Sequence, residues 1–532
     1  MKTPIPLLLF WALFASGLMA QSRSTIDCYG GAIIGESMWA DIENLRPQTP
    51  VFAAFGATAG HNGFLVAISG DLDDLLWTRD LYQGRFFYLG HSDVNGKLSF
   101  SRVIPDVPGM DQVKFYIQAL TYDSSFSSGP DMFDSISNLV LCKPAYEGEW
   151  RDHEESLPAS AHQAHAIQMT TARGGALQVL ITGGGNILFQ EPSVKFETAS
   201  LAYQWDTTLQ RMNPVPDMNE DRAAHTATLL QDGRVLISGG MRYAGPDNNG
   251  YRTEVTNSVE LWDPEMWAFV PMQPMNEPRA FHQAVLLDDG RVLVIGGSRG
   301  FGGSGAISSF EHALASGMRT TEIFDPVQGN WQQGPNLPEK NVGGRAIKDG
   351  GGAILLAGGI NSQDTAQDVV YRFDPQATYV NQVATMNVPR AFFSMVLLRD
   401  NRVLVAGGYE GSIGSLTSLD STELFDPGSQ TFSISTPLPE PIAFGTAVQG
   451  ILGNDMVYIT GGNSENRSVT GTTLMTFNPG NESTASGRTS NQDHGGGIVV
   501  MVGNGAIGVV SGAGSTPGWG QAEGENMAPM GD

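Results

Sequence analysis

A short apolar strand followed by two glycines recurs along this chain and limits the folds that the chain can adopt. One copy with its turn reads DGRVLISGG, from Asp232 to Gly240, and similar copies begin at Asp289 and Asp400. A unit that recurs in this way is a structural repeat rather than an active site. The second glycines of the copies lie about 50 to 60 residues apart, at Gly184, Gly240, Gly297, Gly359, Gly408 and Gly462.

The rest of each unit supplies further strands. A later strand ends in an aromatic residue followed by Asp-Pro or its equivalent, and another aromatic residue follows in the next strand. Four short strands per unit at this period predict an all-β fold, a β-propeller. The abundance of glycine, 66 of 532 residues, also favours a turn-rich all-β chain. We expect the carboxylates of this turn to bond turn amides rather than to act as acid and base: Asp263, Asp325, Asp374 and Asp426.

This pattern resembles the kelch repeat, in the form shared with galactose oxidase-like propellers of secreted bacterial type. The resemblance extends from Tyr146 to about Gly514 and implies a kelch-type propeller. Galactose oxidases carry a copper site with a thioether-linked Cys-Tyr pair. Because no cysteine follows Cys142, we expect that this copper chemistry is excluded, and we predict no cofactor and no metal site.

The two ends of the repeat region predict how the ring closes. The segment around Trp150 is typical of a fourth strand without its own first three. The segments HGGGIVVMV and AIGVVSGAG, around Val499 and Val509, are typical of first and second strands. An open last sheet would expose an unpaired edge. We therefore predict a composite blade and seven blades in all, with six as the alternative.

The sequence before the repeats predicts two further segments. Lys2, an apolar run and small residues near Ala20 indicate a secretory signal peptide over residues 1–20. No other stretch predicts a membrane span, so we expect a secreted, extracellular or periplasmic protein. We predict that residues 21–145 form an antiparallel β-sandwich as an accessory module. We predict that residues 146–532 form the propeller. Cys28 and Cys142 are expected to form a disulfide, with two buried thiols as the alternative.

The charge of the chain bears on its partners. A formal net charge of -25 argues against nucleic acid or an anionic membrane as a partner, since both require clustered cations. The partner that we expect is therefore a protein or a glycan. The sequence does not indicate an oligomeric state.

Long loops between the second and third strands predict the ligand-binding face. Function on repeat scaffolds concentrates in variable loops, and exposed aromatic residues beside Arg suit sugar or peptide binding. Arg222, Arg279 and Arg390 precede first strands and are expected to pair with nearby acidic residues, although binding of a ligand carboxylate is the alternative. The candidate ligand-binding residues are Tyr243, Tyr251, Arg252, Phe301, Phe310, His312 and Tyr409.

Four histidines share one repeat position: His165, His225, His282 and His494. Other units place Phe393 and roughly Phe444 there, and a position that accepts Phe favours packing over metal ligation. No catalytic constellation emerges. We therefore predict an exported, non-enzymatic binding protein, with a carbohydrate-active enzyme and a structural or adhesive envelope module as alternatives.

Overall fold

A computed structural model of the chain describes most of the repeat region and parts of the segment before it. The described residues are 25–29, 37–43, 45, 47–56, 81–103, 115–122, 133–136, 140–142, 150–152, 165–170, 177–190, 193–206, 211–247, 250–300, 313–450, 455–460, 462, 473–489, 498–501, 507–513 and 520–527. The predicted signal peptide lies outside them.

Two antiparallel sheets precede the repeats. One has the strand order β1-β2-β5, and the other has the order β4-β3-β6-β7, with β8 also paired to β6. Cys28 lies in β1 and Cys142 in β8, and these two strands contact each other. The side chains of both cysteines lie outside the described residues. The eight strands are β1 Thr25–Tyr29, β2 Ser37–Glu43, β3 Pro50–Gly56, β4 Leu81–His91, β5 Leu98–Val103, β6 Phe115–Tyr122, β7 Phe133–Ile136 and β8 Val140–Cys142.

A four-stranded sheet then recurs once per sequence repeat. A short strand, β9 Trp150–Asp152, comes first in the chain. Six antiparallel sheets of four strands follow, and we call them blades 1 to 6. Blade 1 contains β10 His165–Thr170, β11 Leu177–Thr182, β14 Ala202–Asp206 and β15 Arg211–Pro214, and β12 Gly185–Gln190 pairs with β13 Ser193–Thr198 beside it. Blade 2 contains β16 Thr226–Leu229, β17 Val235–Ser238, β20 Val259–Asp263 and β21 Ala268–Met272, with the hairpin β18 Met241–Asp247 and β19 Gly250–Val255.

The next four blades repeat this order. Blade 3 contains β22 Gln283–Leu286, β23 Val292–Ile295, β24 Thr321–Asp325 and β25 Asn330–Gln333. Blade 4 contains β26 Arg345–Lys348, β27 Ile354–Ala357, β28 Val369–Phe373 and β29 Val380–Thr385. Blade 5 contains β30 Ser394–Leu397, β31 Val403–Ala406, β34 Thr422–Asp426 and β35 Thr431–Ser435, with the short hairpin β32 Tyr409–Glu410 and β33 Thr417–Ser418. Blade 6 contains β36 Thr446–Gln449, β37 Val457–Thr460, β38 Thr473–Asn478 and β39 Ser483–Thr489.

A further four-stranded sheet joins distant parts of the chain. Its strands are β40 Ile498–Met501, β41 Ile507–Ala513 and β42 Gly520–Met527, followed by β9. Val499 pairs with Val509 between β40 and β41, and Met527 pairs with Trp150 between β42 and β9. The first strands of blades 1 to 6 contact one another in succession, and β40 contacts both β36 and β10. We call this sheet the composite sheet.

The apolar second strand of each repeat is buried because blades pack face to face. In blades 2 to 6 all four residues of this strand are buried. Side chains from adjacent blades form shared cores; one such core joins Leu236 and Leu261 of blade 2 to Val292 and Phe324 of blade 3. Burial of a Leu or Phe side chain contributes about 1.5–3 kcal/mol, so the hydrophobic effect favours stacking of the blades.

The paired glycines allow neighbouring backbones to approach each other. Gly239 has a φ of 61°, and a Cβ there would lie 2.3 Å from the carbonyl oxygen of Arg279 in the link to the next blade. Only glycine meets both conditions at low cost. The all-β propeller predicted from the repeats is therefore confirmed, with six blades that are each built from one contiguous segment of the chain.

The turn carboxylates bond backbone amides, as predicted. Asp263 accepts hydrogen bonds from the amides of Glu265 and Met266, and Asp325 accepts them from Val327 and Gln328. Asp374 and Asp426 do the same in blades 4 and 5. Within the described residues, the structure has no helix with the length and hydropathy needed to cross a membrane.

Candidate functional site

The strand register defines two faces of the propeller. Arg345, the first residue of β26, pairs with Ala357, the last residue of β27, while Lys348 pairs with Ile354 at the other end of the same strands. The link into each first strand and the connection after each second strand therefore emerge on one face, which we call the mouth face. The turns between first and second strands, and between third and fourth strands, lie on the opposite face.

Connections on the mouth face are the elaborate ones. The hairpins β12–β13, β18–β19 and β32–β33 all stand between a second strand and a third strand. Strand β13 contacts both β18 and β19, so the hairpins of blades 1 and 2 lie side by side. The loops of blades 4 and 5 are also joined, since the amide of Ala366 donates to the carbonyl of Gly411 and that of Ile413 donates to Asp364.

Several predicted ligand-binding residues lie in the blade 2 hairpin. Tyr243 is in β18 and is partly buried, and its amide donates to Thr198 Oγ1 at 2.8 Å and to Asp221 Oδ2 at 3.3 Å. Tyr251 and Arg252 are in β19, where Tyr251 pairs with Pro246; their side chains lie outside the described residues. Phe301, Phe310 and His312 also lie outside them.

Tyr409 differs from the expectation of an exposed aromatic residue. It is only 5% exposed and packs among Ala391, Phe392 and Ala443 from the links that enter blades 5 and 6. Its backbone also bridges Ala391. Burial against neighbouring links places Tyr409 beneath the mouth face, so it supports the surface rather than offering a ring to a ligand.

Three phenylalanines occupy the links into first strands. Phe281, Phe392 and Phe444 each lie two residues before the first residue of the first strand of blades 3, 5 and 6. The ring centroids of Phe281 and Phe392 lie 6.1 Å apart, those of Phe392 and Phe444 4.4 Å, and those of Phe444 and Tyr409 6.0 Å. We call these four residues the mouth cluster. Phe281 and Phe444 are partly exposed, whereas Phe392 is buried.

Blade 4 makes room for the mouth cluster. Its link carries Gly343 where the neighbouring blades carry Phe, and a Cβ at Gly343 would lie 2.5 Å from the ring of Phe392. The φ angles of Phe281, Phe392 and Phe444 lie between 54° and 59°, a region that is uncommon for bulky residues. Amide-to-carbonyl hydrogen bonds between adjacent links hold this conformation: Phe281 to Ala224, Phe392 to Gly343 and Phe444 to Phe392.

Phe444 therefore corresponds to Phe392 and not to Phe393, and the prediction that it occupies the histidine position was wrong by one residue. In blade 6 the histidine position is Gly445. The sequence signal for the mouth cluster was the recurring Ala-Phe pair in RAFHQ, RAFFS and IAFGT. The sequence does not show the bend in the link, so it does not show which residue of this pair aligns with the histidine position.

Two of the four histidines have described side chains, and both bond across blades. His225 Nε2 shares a hydrogen bond of 2.8 Å with Thr182 Oγ1 of blade 1, and His282 Nε2 shares one of 2.9 Å with Thr226 Oγ1 of blade 2. Phe393 is fully buried at the same repeat position. These contacts are structural. His165 and His494 have side chains outside the described residues.

The three arginines of the links pair with buried glutamates, as predicted. Arg222, Arg279 and Arg390 are each 0% exposed, and their Nη2 atoms lie 2.6, 3.1 and 2.8 Å from carboxylate oxygens of Glu260, Glu322 and Glu423. Burial lowers the pKa of Arg279 and Arg390, and the paired carboxylates oppose that effect. These side chains are therefore buried structural ions and not ligand contacts.

Each pair also holds the glycine motif in place. Arg279 Nη1 donates to the carbonyl of Gly296, the first glycine of the pair in blade 3, at 2.9 Å. The second carboxylate oxygen of Glu322 accepts from the amide and the side chain of Asn276. In blade 4 both charged partners are replaced together, by Asn341 and Tyr371, and Asn341 Nδ2 donates to the corresponding carbonyl of Gly358. No uncompensated charge is left behind.

A metal centre does not emerge from the described side chains. Among them, no three His, Cys, Asp or Glu residues lie close enough together to hold a metal ion.

Comparisons with curated proteins match the repeat region. Beta-scruin from Limulus polyphemus is 25% identical over 265 residues, which cover 48% of this chain and 26% of that protein. Kelch-like protein 36 from Bos taurus is 34% identical over 116 residues, covering 21% of this chain and 18% of that protein. Alpha-scruin from Limulus polyphemus is 24% identical over 315 residues, covering 58% and 31%. The matches thus span less than a third of each of these relatives.

Solved structures match the fold. A fungal alcohol oxidase of the AA5 family, in complex with copper, has a TM-score of 0.53 at 15% identity and covers 72% of this chain and 76% of that one. No family model matches the chain. The repeat motif, the six blades and the similarity to kelch-like and scruin proteins together support a kelch-repeat β-propeller for this region.

Proposed function

We propose that this chain is a non-enzymatic interaction protein that binds its ligand on the mouth face. One observation carries the proposal. The mouth face has three hairpins and the partly exposed rings of Phe281 and Phe444, whereas the opposite face has short turns such as Leu230–Arg234 and Asp325–Gly329. Variable connections on a rigid repeat scaffold are where such proteins bind.

A protein is the ligand class that we favour. The similarity of the repeat region to kelch-like and scruin proteins supports a protein-interaction use of the propeller. A glycan is the second ligand class, because exposed aromatic rings next to polar hairpins suit sugars as well.

We propose that the mouth face binds its ligand without catalysing a reaction. A likeness to an oxidase at 15% identity supports the fold and no activity. The lack of any cysteine after Cys142 supports the proposal that the chain lacks galactose oxidase-type copper chemistry. A carbohydrate-active enzyme with its site at the mouth face, and a structural or adhesive envelope module, are the alternatives.

We propose the remaining architecture and location from the same sequence. Residues 1–20 would direct export to the cell exterior or the periplasm, and a β-sandwich over residues 21–145 would form an accessory module before the propeller of residues 146–532. The composite sheet would be a seventh blade that closes the ring. The contacts of β40 with both β36 and β10 support this closure.

The experiment is a paired selection on the purified full chain, with a displayed random-peptide library and a glycan array. Binders are then measured against Phe281→Ala and Tyr251→Ala on the mouth face. The matched control is Val327→Ala on the opposite face, where Val327 is 94% exposed. We expect each mouth variant to weaken binding at least tenfold and the control to leave it unchanged.

Two results would count against the proposal. Binders that lose affinity only with Val327→Ala would move the site to the opposite face. Sugar turnover by the wild-type chain that Asp221→Asn abolishes would support the enzyme alternative. Thermal denaturation of each variant separates loss of binding from loss of folding.

A further inference from the structure

Arg345 is a cation at the mouth face that has no carboxylate partner among the described residues. It is the first residue of β26 and is partly buried, and its Nε donates to the carbonyl of Phe393 in blade 5 at 2.8 Å. The buried link arginines each have a glutamate; Arg345 has none. This difference singles out Arg345 within the described chain.

The neighbouring residue on the ring is also unsatisfied. Ser394, the first residue of β30, follows Phe393 and occupies in blade 5 the position that Arg345 occupies in blade 4. Its side chain is 3% exposed, and its Oγ has no hydrogen-bond partner. A buried hydroxyl without a partner costs about 1–3 kcal/mol. This hydroxyl faces Gly445 of blade 6, where a Cβ would lie 3.4 Å from it, so it belongs to the next blade contact and not to the Arg345 site.

The surroundings of Arg345 contain no acid on the innermost strands. The first strands of the six blades and of the composite sheet read HAIQMT, TATL, QAVL, RAIK, SMVL, TAVQ and IVVM. The second cation among them, Lys348, pairs with Asp288 at 2.7 Å near the opposite face. In a chain of net charge -25, the mouth end of the innermost strands thus carries a positive charge with no carboxylate partner among the described residues.

Burial explains why this arrangement suits an anionic ligand. Burial lowers the pKa of Arg345 with no carboxylate to oppose it, although an Arg side chain stays charged in proteins. A carboxylate that arrives from a ligand would restore the lost solvation, and the guanidinium can bind it through two parallel hydrogen bonds. The mouth cluster lies alongside, since Phe392 packs over Gly343 two residues before Arg345.

We infer that the mouth face binds a carboxylate of its ligand at Arg345. The favoured source is an Asp or Glu side chain of the protein partner, and in that respect the inference rests on the proposed function. A free organic acid would present the same group, so the test has one arm for each source.

The first arm uses benzoate and its neutral isostere benzamide as probes, titrated into the full chain by ligand-detected NMR. We expect benzoate to bind at least tenfold more tightly than benzamide, and Arg345→Gln to bring that ratio close to one. Lys348→Gln, which removes the paired cation at the other end of the same strand, should leave the ratio unchanged. Arg345→Lys keeps the charge without the planar fork and should retain part of the preference.

Equal affinities for the two probes in the wild-type chain, or a preference that survives Arg345→Gln, would overturn the inference. Because the wild-type ratio and Arg345→Lys both report on the site, the test does not depend on Arg345→Gln folding.

The second arm uses peptides selected as described for the proposed function. Replacing the acidic residue of a bound peptide by its amide should weaken binding to the wild-type chain at least tenfold but hardly affect binding to Arg345→Gln. Additive effects of the two changes would rule out a protein carboxylate as the source. A chain that selects no peptide but still prefers benzoate would refute the proposed function and leave an organic acid as the ligand.

Discussion

Arg390 Nη2 lies 2.8 Å from Glu423 Oε1, and both side chains are fully buried. The pair joins the link before blade 5 to the third strand of that blade, and Arg390 Nη1 also donates to Gly407 at 2.8 Å. Blade 6 has Ile442 and Met475 at the two corresponding positions, in one of its apolar cores. The two positions therefore change together: Arg–Glu in blades 2, 3 and 5, Asn341–Tyr371 in blade 4 and Ile442–Met475 in blade 6.

Breaking this pair should be far more costly than replacing it. We expect Glu423→Gln to lower the free energy of unfolding by about 3–5 kcal/mol, because it leaves a buried arginine without its counterion. The double variant Arg390→Ile with Glu423→Met should cost much less than the sum of its two single changes. Urea denaturation of the four proteins measures the coupling. Strict additivity would show that the two positions act independently.

The first glycine of each pair should be intolerant for two separable reasons. Gly407 has a φ of 65°, and a Cβ there would lie 2.3 Å from the carbonyl oxygen of Ile442. Gly414 has a φ of 91° with nothing within 4 Å of a Cβ. Gly414→Ala should cost about 1–2 kcal/mol from backbone strain alone. Gly407→Ala should cost roughly twice as much, measured by thermal and chemical unfolding; similar costs for the two variants would refute the role of the close approach.

The turn carboxylate of Asp374 should make stability depend on pH in the acid range. Burial raises its pKa, but hydrogen bonds from the amides of Tyr379 and Thr378 and from the Thr378 hydroxyl outweigh burial, so the pKa lies below its ordinary value of 3.8. A depressed folded pKa stabilises the protein above the unfolded pKa, and this stabilisation is lost as the pH falls through the folded value.

Asp374→Asn should therefore lower stability at pH 7 and reduce the further loss between pH 5 and pH 2. The urea midpoint as a function of pH measures both effects. Thr378→Val removes one of the hydrogen bonds and should shift the acid transition upward. An unchanged acid profile in Asp374→Asn would show that other carboxylates carry the transition.

Removing the hydroxyl of Ser394 should stabilise the protein. Its Oγ is buried without a partner, so Ser394→Ala should raise the free energy of unfolding by about 1–3 kcal/mol. The matched control is Thr226→Val at the same repeat position of blade 2, where Thr226 Oγ1 bonds Ser238 and His282. That variant should lose about 1 kcal/mol. Destabilisation by Ser394→Ala in urea denaturation would contradict the assignment of an unsatisfied hydroxyl.

Short-range pattern made most of the propeller predictable. The buried second strands, the glycine pairs, the Asp turns and the arginines near acidic residues are each written in a few adjacent residues, and each recurs. Because the unit recurs about every 50 to 60 residues, an element identified in one unit could be located in the next. The pairing of each link arginine with one particular glutamate is not written in adjacent residues, because the two positions lie about 30 to 40 residues apart and meet only in the folded blade.

What could not be predicted depends on contacts between repeats. Tyr409 follows a glycine pair like an exposed loop residue, yet the links into blades 5 and 6 bury it. The predicted repeat position of Phe444 was wrong by one residue, because the positive φ in the link shifts the alignment of the link with the first strand. Strand β42 was missed because GQAEGENM lacks the β-branched and aromatic residues of a typical strand, and its pairing comes from β41 and β9.

The pairing of β42 with β9 also has a consequence during synthesis. Residues 150–152 leave the ribosome early, whereas the strand with which they pair emerges only after all six blades. Until then, β9 has no partner strand in the composite sheet and the nascent ring stays open. Blades 1 to 6 can stack locally as they appear, but closure must come last, so this final seam is where misassembly between two unfinished molecules would begin.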